Sequence, residues 1–145
     1  MTLDEIFENW SKDSIIDKNA LDNESLEIPK IHSKYLKFFA VERLTLQRLE
    51  QEYKILFKTK TEYFAGTLDL DTIKENGWEP NQKMILKGDI GMHIDADPQI
   101  QKLSLKIGLQ KEKISTLDSI LKSLANRGFQ IKNSIDFTKM MNGLI

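Results

Sequence analysis

From about Ile28 to Ala65 the chain contains no glycine and, after Pro29, no proline, and its apolar residues return every three or four positions. Leu36, Phe39, Leu46, Leu49, Tyr53, Leu56 and Tyr63 mark one stripe, which Val41, Leu44 and Ile55 widen. That spacing is the period of an α-helix, in which residues three and four apart share a face. A stripe this wide is more than one neighbouring helix covers, so contacts with several neighbours are expected. Pro29 suits the first turn, where a missing amide hydrogen costs little, and Gly66 suits the end. A chain built around such a rod is confined to a mainly α architecture.

The remaining segments arrange themselves around that helix. Thr2-Leu-Asp-Glu5 has capping-box spacing, and Leu3, Ile6, Phe7 and Trp10 follow at helical intervals, which predicts a short helix over about 3–12. Residues 13–24 read as a turn-rich connector, so 1–24 form an acidic N-terminal helix and connector and 25–65 the long helix. Residues 66–97 scatter Gly66, Gly77, Pro80, Gly88 and Gly91 among polar side chains. Met84-Ile-Leu and Ile90-Gly-Met-His-Ile are short enough for strands of a small β-hairpin around Lys87-Gly88. Asp97-Pro98 then starts a second long helix over 98–126, as N-cap and first-turn proline. Its residues Ile100, Leu103, Ile107, Gln110, Ile114, Leu117, Leu121 and Leu124 repeat in a coiled-coil-like way with one polar member. A seam of Leu49, Leu56, Ile107, Ile114 and Leu121 is expected. Arg127-Gly128 closes the helix, and 127–145 hold a short amphipathic segment with Phe137, Met140 and Met141 on one side. The fold expected is a single helical domain, 1–145, with two long helices in a coiled-coil-like arrangement, short flanking helices and the hairpin.

Several chemistries have no residues to carry them. The chain lacks cysteine, which excludes disulfides, thiol nucleophiles and zinc–thiolate sites and points to an intracellular protein. The start, Met-Thr-Leu-Asp-Glu, does not read as a signal peptide, and no stretch approaches the ~20 apolar residues that span a bilayer. His32 and His93 lie on different elements. Asp95 and Asp97 precede a helix and suit capping rather than a metal. Gly88-Asp-Ile-Gly91 lacks the ending of a phosphate loop, and no Ser or Thr sits in a nucleophile elbow. The expectation is a protein that is not an enzyme and needs no metal or cofactor.

The net charge of -1 conceals segregation: residues 1–29 carry -6, 30–60 carry +5, 61–100 carry -5 and 101–145 carry +5. Charge blocked in this way presents a positive face after folding or pairs between subunits, and composition does not choose. Within Tyr53–Gly66, Lys54, Lys58 and Lys60 alternate with Tyr53, Phe57, Tyr63 and Phe64. Single-stranded nucleic acid needs both classes, ammonium groups for phosphates and rings for unstacked bases. A helical core with a solvated lysine rim has the same composition, so both readings stand. On an ideal helix Lys58 and Lys60 point about 200° apart. Either the chain leaves the helix near Thr59, or the two lysines line different sides of a groove between subunits.

Four strings in order bear on the choice: Asp13-Ser-Ile-Ile-Asp17, Ser33-Lys-Tyr-Leu36, Lys58-Thr-Lys60-Thr-Glu-Tyr-Phe-Ala-Gly66 and Ser123-Leu-Ala-Asn-Arg-Gly-Phe-Gln-Ile-Lys132. Together they resemble the UvsY family of phage recombination mediators over most of the chain. The resemblance implies a ring-forming protein without enzymatic activity, in the cytoplasm of an infected bacterial host. It implies binding to single-stranded DNA, contact with the phage single-strand-binding protein, and help in loading a RecA-like recombinase. The family's basic pair maps onto Lys58 and Lys60, the second being Lys where Arg is expected, and arginine's planar fork does not carry over. On this reading Lys54, Lys58, Lys60, Tyr63 and Phe64 bind DNA. Phe129, Phe137, Met140 and Met141 form the oligomer interface of a hexamer to octamer. The competing reading is a helical scaffold or adaptor that oligomerises without binding DNA.

Overall fold

The computed structural model describes residues 1–80 and 85–144. Its elements are α1 (Leu3–Asp13), α2 (Leu21–Ala65), α3 (Leu70–Glu75), a single 3-10 turn (Lys87–Asp89), α4 (Ile90–Asp95) and α5 (Pro98–Met141). The mainly α architecture with two long helices is observed, and the described residues contain no strand. The hairpin expected around Lys87-Gly88 is replaced by the 3-10 turn running into α4. Ile90-Gly-Met-His-Ile is helical, burying Ile94 and leaving Met92 exposed, a one-sided pattern that a single helical turn satisfies. Met84 lies outside the described residues.

Both long helices exceed the ranges drawn from sequence. α2 begins at Leu21, so Pro29 lies within it, and the acidic residues Asp22 and Glu24 occupy the first turn. Negative side chains there oppose the positive end of the helix dipole. α5 does not stop at Arg127-Gly128 but continues to Met141. The reason lies in burial: Leu117, Ile120, Leu124, Arg127 and Ile131 are all buried at 3–4 spacing. Arg127 is thus a member of the inward face, and Gly128, which costs a helix about 1 kcal/mol relative to alanine, is carried through by it.

The chain forms two compact units, residues 1–44 with 111–145, and residues 45–110, and both long helices contribute to both. The first unit is built on Ile6, Tyr35, Leu117, Ile120 and Leu124, with Trp10, Ile31, Phe38, Phe39 and Leu121 packed around them. α1 enters through a capping box: Thr2 Oγ1 accepts from Glu5 N, and Glu5 Oε2 accepts from Thr2 N. Tyr35 stands edge-on to Trp10 and to Phe38, each at 5.6 Å between ring centres. Where α1 ends, the Asp13 carboxylate accepts from Lys34 Nζ (2.7 Å) and Tyr35 Oη (2.8 Å), and its backbone carbonyl accepts from Arg127 Nη2 (2.6 Å). Three of the strings that carry the family resemblance meet at this cluster.

The second unit buries Leu49, Ile73, Ile94 and Ile100 together with Lys60, Asp97 and Gln110. Gly66, at φ 77°, ends α2. There Thr67 N donates to Glu62 O and Gly66 N to Tyr63 O, the paired bonds of a Schellman cap. Asp69 caps α3, accepting from Thr72 N. Gly77, at φ 71°, ends α3 in the same way, with Trp78 N donating to Ile73 O. Both turns need a left-handed backbone, which glycine adopts without a Cβ penalty.

Candidate nucleic-acid interface

The basic and aromatic residues singled out in the sequence lie on the last turns of α2, all in the second unit. The helix does not break at Thr59. Thr59 Oγ1 donates to Ile55 O and Thr61 Oγ1 to Phe57 O, bonds that fold each hydroxyl back onto an unbroken helix. Lys58 and Lys60 therefore do point to opposite sides.

Lys60 points inward. It is 4% exposed; its Nζ lies 3.0 Å from Asp97 Oδ1 and 3.8 Å from the centre of the Trp78 ring. Asp97 is also buried, and its other oxygen accepts from Gln99 N and Ile100 N as the cap of α5. One carboxylate thus starts α5 and holds the ammonium of α2. Trp78 is delivered by the turn at Gly77, and its ring lies 5.2 Å from that of Tyr63.

Tyr63 and Phe64 are half-buried against their own unit. Tyr63 Oη donates to the Glu79 carbonyl, and its ring meets Phe64 and Trp78. The Phe64 ring also lies 5.6 Å from that of His93.

Lys54 and Lys58 point outward. Both are exposed and, among the described residues, neither has an ion-pair partner, whereas Lys30, Lys34, Arg48 and Lys60 of the same helix do. One turn apart, they share a face about 40° wide. Phe57 lies at the margin of that face, about 60° round the helix from Lys54 and about 100° from Lys58. It is 43% exposed, with its ring stacked on Tyr53 at 6.1 Å and 29°. Two unneutralised cations next to an exposed ring are what a phosphate chain with unstacked bases fits.

Two members of this arrangement were not singled out for it in the sequence. Trp78 follows Gly77 in a segment with no periodicity, and the sequence marks Asp97 only as a helix cap. One signal was present: Lys60 occupies the 3–4 position between Leu56 and Tyr63, inside the apolar stripe. Elsewhere, the C-terminal candidates Phe129, Phe137, Met140 and Met141 are 60–69% exposed on α5 in the first unit. No group of His, Asp or Glu among the described residues can hold a metal ion, and no helix among them is long and apolar enough to cross a membrane.

Comparison with known proteins decides the family. A family model described as "Recombination, repair and ssDNA binding protein UvsY" matches residues 9–144. The chain belongs to the UvsY family. It is 24% identical over 136 residues to the recombination protein uvsY of Enterobacteria phage T4, covering 94% of each chain. It is also similar in fold to crystal structures of the bacteriophage T4 recombination mediator protein UvsY. One matches at TM-score 0.86 and 22% identity over 98% of both chains. A second, from another lattice, matches at 0.85 over 97% of this chain and 99% of that one. Recombination, repair and single-stranded DNA binding are therefore the functions of the family in which the exposed edge of α2 is to be read.

Proposed function

We propose that this UvsY-family chain is a recombination mediator that works without catalysis in the cytoplasm of an infected bacterial cell. It binds single-stranded DNA along the Lys54–Lys58 edge of α2, with Phe57 as the ring on which a base stacks. It promotes loading of a RecA-like recombinase onto strands coated by the phage single-strand-binding protein. The observation that carries this reading is the pair of exposed lysines one turn apart near an exposed ring, with no ion-pair partner among the described residues.

Two cations per chain give weak binding, so the reading includes a closed homo-oligomer, in which contacts repeated along one strand multiply. The exposure of Phe129, Phe137, Met140 and Met141 on the last part of α5 supports it, since large apolar side chains left open there suit a contact between copies. About six to eight copies close such a ring.

The test is a fluorescent oligothymidylate titrated at several salt concentrations, alongside mass measurement in solution. The expected result is single-strand affinity that falls steeply with salt and a mass several times that of one chain. Adding the protein to a recombinase and strands pre-coated with single-strand-binding protein should shorten the lag before filaments form. No binding at low salt would return the chain to a scaffold role, and salt-independent binding would remove the lysine edge as the contact.

A further inference from the structure

Lys60 is the one lysine of the Tyr53–Gly66 string that solvent does not reach, and a phosphate cannot approach it without displacing Asp97 and Trp78. A buried ion pair is a poor net stabiliser, because desolvating two charges consumes most of what their attraction returns. Its best-attested use is to fix one arrangement among several that an apolar surface would accept. The stripe on α2 is of that permissive kind. Leu49, Leu56 and Tyr53 lie within about 40° of Lys60 around the helix, and greasy contacts alone let a helix roll. A cation tied to one carboxylate does not roll. Lys58 lies about 160° from Lys60 by the shorter way round, and Lys54 about 120°. Fixing the azimuth of Lys60 therefore fixes which residues face outward.

We infer that Lys60 is a positioning residue for DNA binding: held between Asp97 and Trp78, it sets the rotation of α2 and aims Lys54, Phe57 and Lys58 at the strand. The inference rests on the proposed reading of that edge as the DNA surface. Asp97 is the other half of the device. Because the same carboxylate caps α5, the rotation of α2 is referenced to the start of α5.

The test measures oligothymidylate affinity of the 145-residue chain over a salt series for Lys60→Met, Asp97→Asn and Lys58→Ala, and for Lys58→Ala combined with each of the others. Methionine keeps an apolar stem beside Trp78 and removes the charge; asparagine keeps the cap and removes the charge. Lys60→Met and Asp97→Asn should each weaken binding by about tenfold, the size of one coupled contact. They should do so in the same direction although they change net charge in opposite directions. Both losses should shrink in the Lys58→Ala background, because Lys58 is one of the residues through which they act.

A direct phosphate contact by Lys60 predicts the reverse. Asp97→Asn would then tighten binding, and the Lys60→Met loss would persist without Lys58, with a log–log salt slope shallower by about 0.7 per contact. Either result overturns the inference. So does a fallen melting midpoint with the affinity of the folded protein unchanged, which is a strut and nothing more. Should Lys60→Met fail to fold, the sign of the Asp97→Asn effect decides alone. Unaltered affinity in Lys58→Ala removes the edge reading and the inference with it. A loss at Lys58 with none at Lys60 or Asp97 removes the inference only.

Discussion

Each compact unit holds a carboxylate, a lysine of α2 and aromatic rings in one cluster, and the two clusters are treated differently. In the first unit Lys34 and Asp13 keep side-chain exposures of 38% and 22%, and Asp13 has further donors in Tyr35 and Arg127. In the second unit Lys60 and Asp97 are 6% and 8% exposed. Water screens the first pair, so the lysine is one of several interchangeable supports for the end of α1. The second pair is desolvated, so each partner depends on the other. A lysine in a basic, aromatic stretch is thus not defined by its neighbours in sequence; what defines it is whether a carboxylate meets it away from water.

The largest expected effect breaks or keeps that contrast directly. Lys60→Ala strands the Asp97 carboxylate and should cost about 3–5 kcal/mol, whereas Lys34→Ala should cost no more than about 1 kcal/mol. Denaturant titration of both variants checks it, and equal losses would erase the distinction. Adding Asp97→Asn to Lys60→Ala should recover part of the loss, since no charge is then left buried.

Next in size is the packing of α5, which the two units also share unequally. Leu117, in the first unit, is fully buried, and Leu105, in the second, is 76% exposed. Leu117→Ala should cost about 2–5 kcal/mol. Leu105→Ala should stay within about 0.5 kcal/mol. A large loss at Leu105 would mean that this face is covered in solution, as a contact between copies would do.

These contrasts mark how far the sequence could be read. Periodicity carries both long helices, because the 3–4 pattern of Leu49, Tyr53 and Leu56 or of Leu117 and Leu124 is local. It misplaced ends where a residue has a reputation: Pro29 and the Arg127-Gly128 pair read as boundaries, yet both lie inside helices. The hairpin failed because Ile90 to Ile94 alternates loosely enough for either period, and so short a run does not separate them. The two sides of Lys58 and Lys60 were legible as a relative angle. Which side faces in was not, because the groups that decide it, Trp78 and Asp97, are brought in by the turn at Gly77 and the start of α5. Lys60 also breaks an apolar stripe, and a cation in that position is the sequence sign of a buried partner.

Smaller effects separate the outward from the inward residues on α2. Phe57→Ala should weaken oligothymidylate binding by about 1–3 kcal/mol with the salt slope unchanged, because stacking releases no counterions. Lys58→Ala should make the slope shallower by about 0.7 for each copy that the strand touches. Tyr63→Ala, by contrast, removes a ring packed on Trp78 and should show first as lost stability. If Tyr63→Ala lowered affinity at unchanged stability and Phe57→Ala did nothing, the assignment of inner and outer rings would be reversed.

The smallest expected effect is the dependence of the first unit on acid. Burial raises the Asp13 carboxyl, but the hydrogen bonds from Lys34 and Tyr35 and the charges of Lys34 and Arg127 outweigh it and hold it below its ordinary value of 3.8. The folded carboxyl is therefore the stronger acid, and between the two values the unfolded chain binds more protons. The stabilisation is fully present above the unfolded value and disappears as pH falls through the folded one. Wild-type melting measured at neutral pH and again below pH ~4 should accordingly lose a contribution that Asp13→Asn lacks at both. The difference is modest because Asp13 is partly exposed and water screens its partners. Equal acid sensitivity in the wild type and Asp13→Asn would mean that the cluster ties α1 to α2 and α5 by geometry, through Tyr35 and the Arg127 bond to the backbone, with no contribution from the carboxylate's charge.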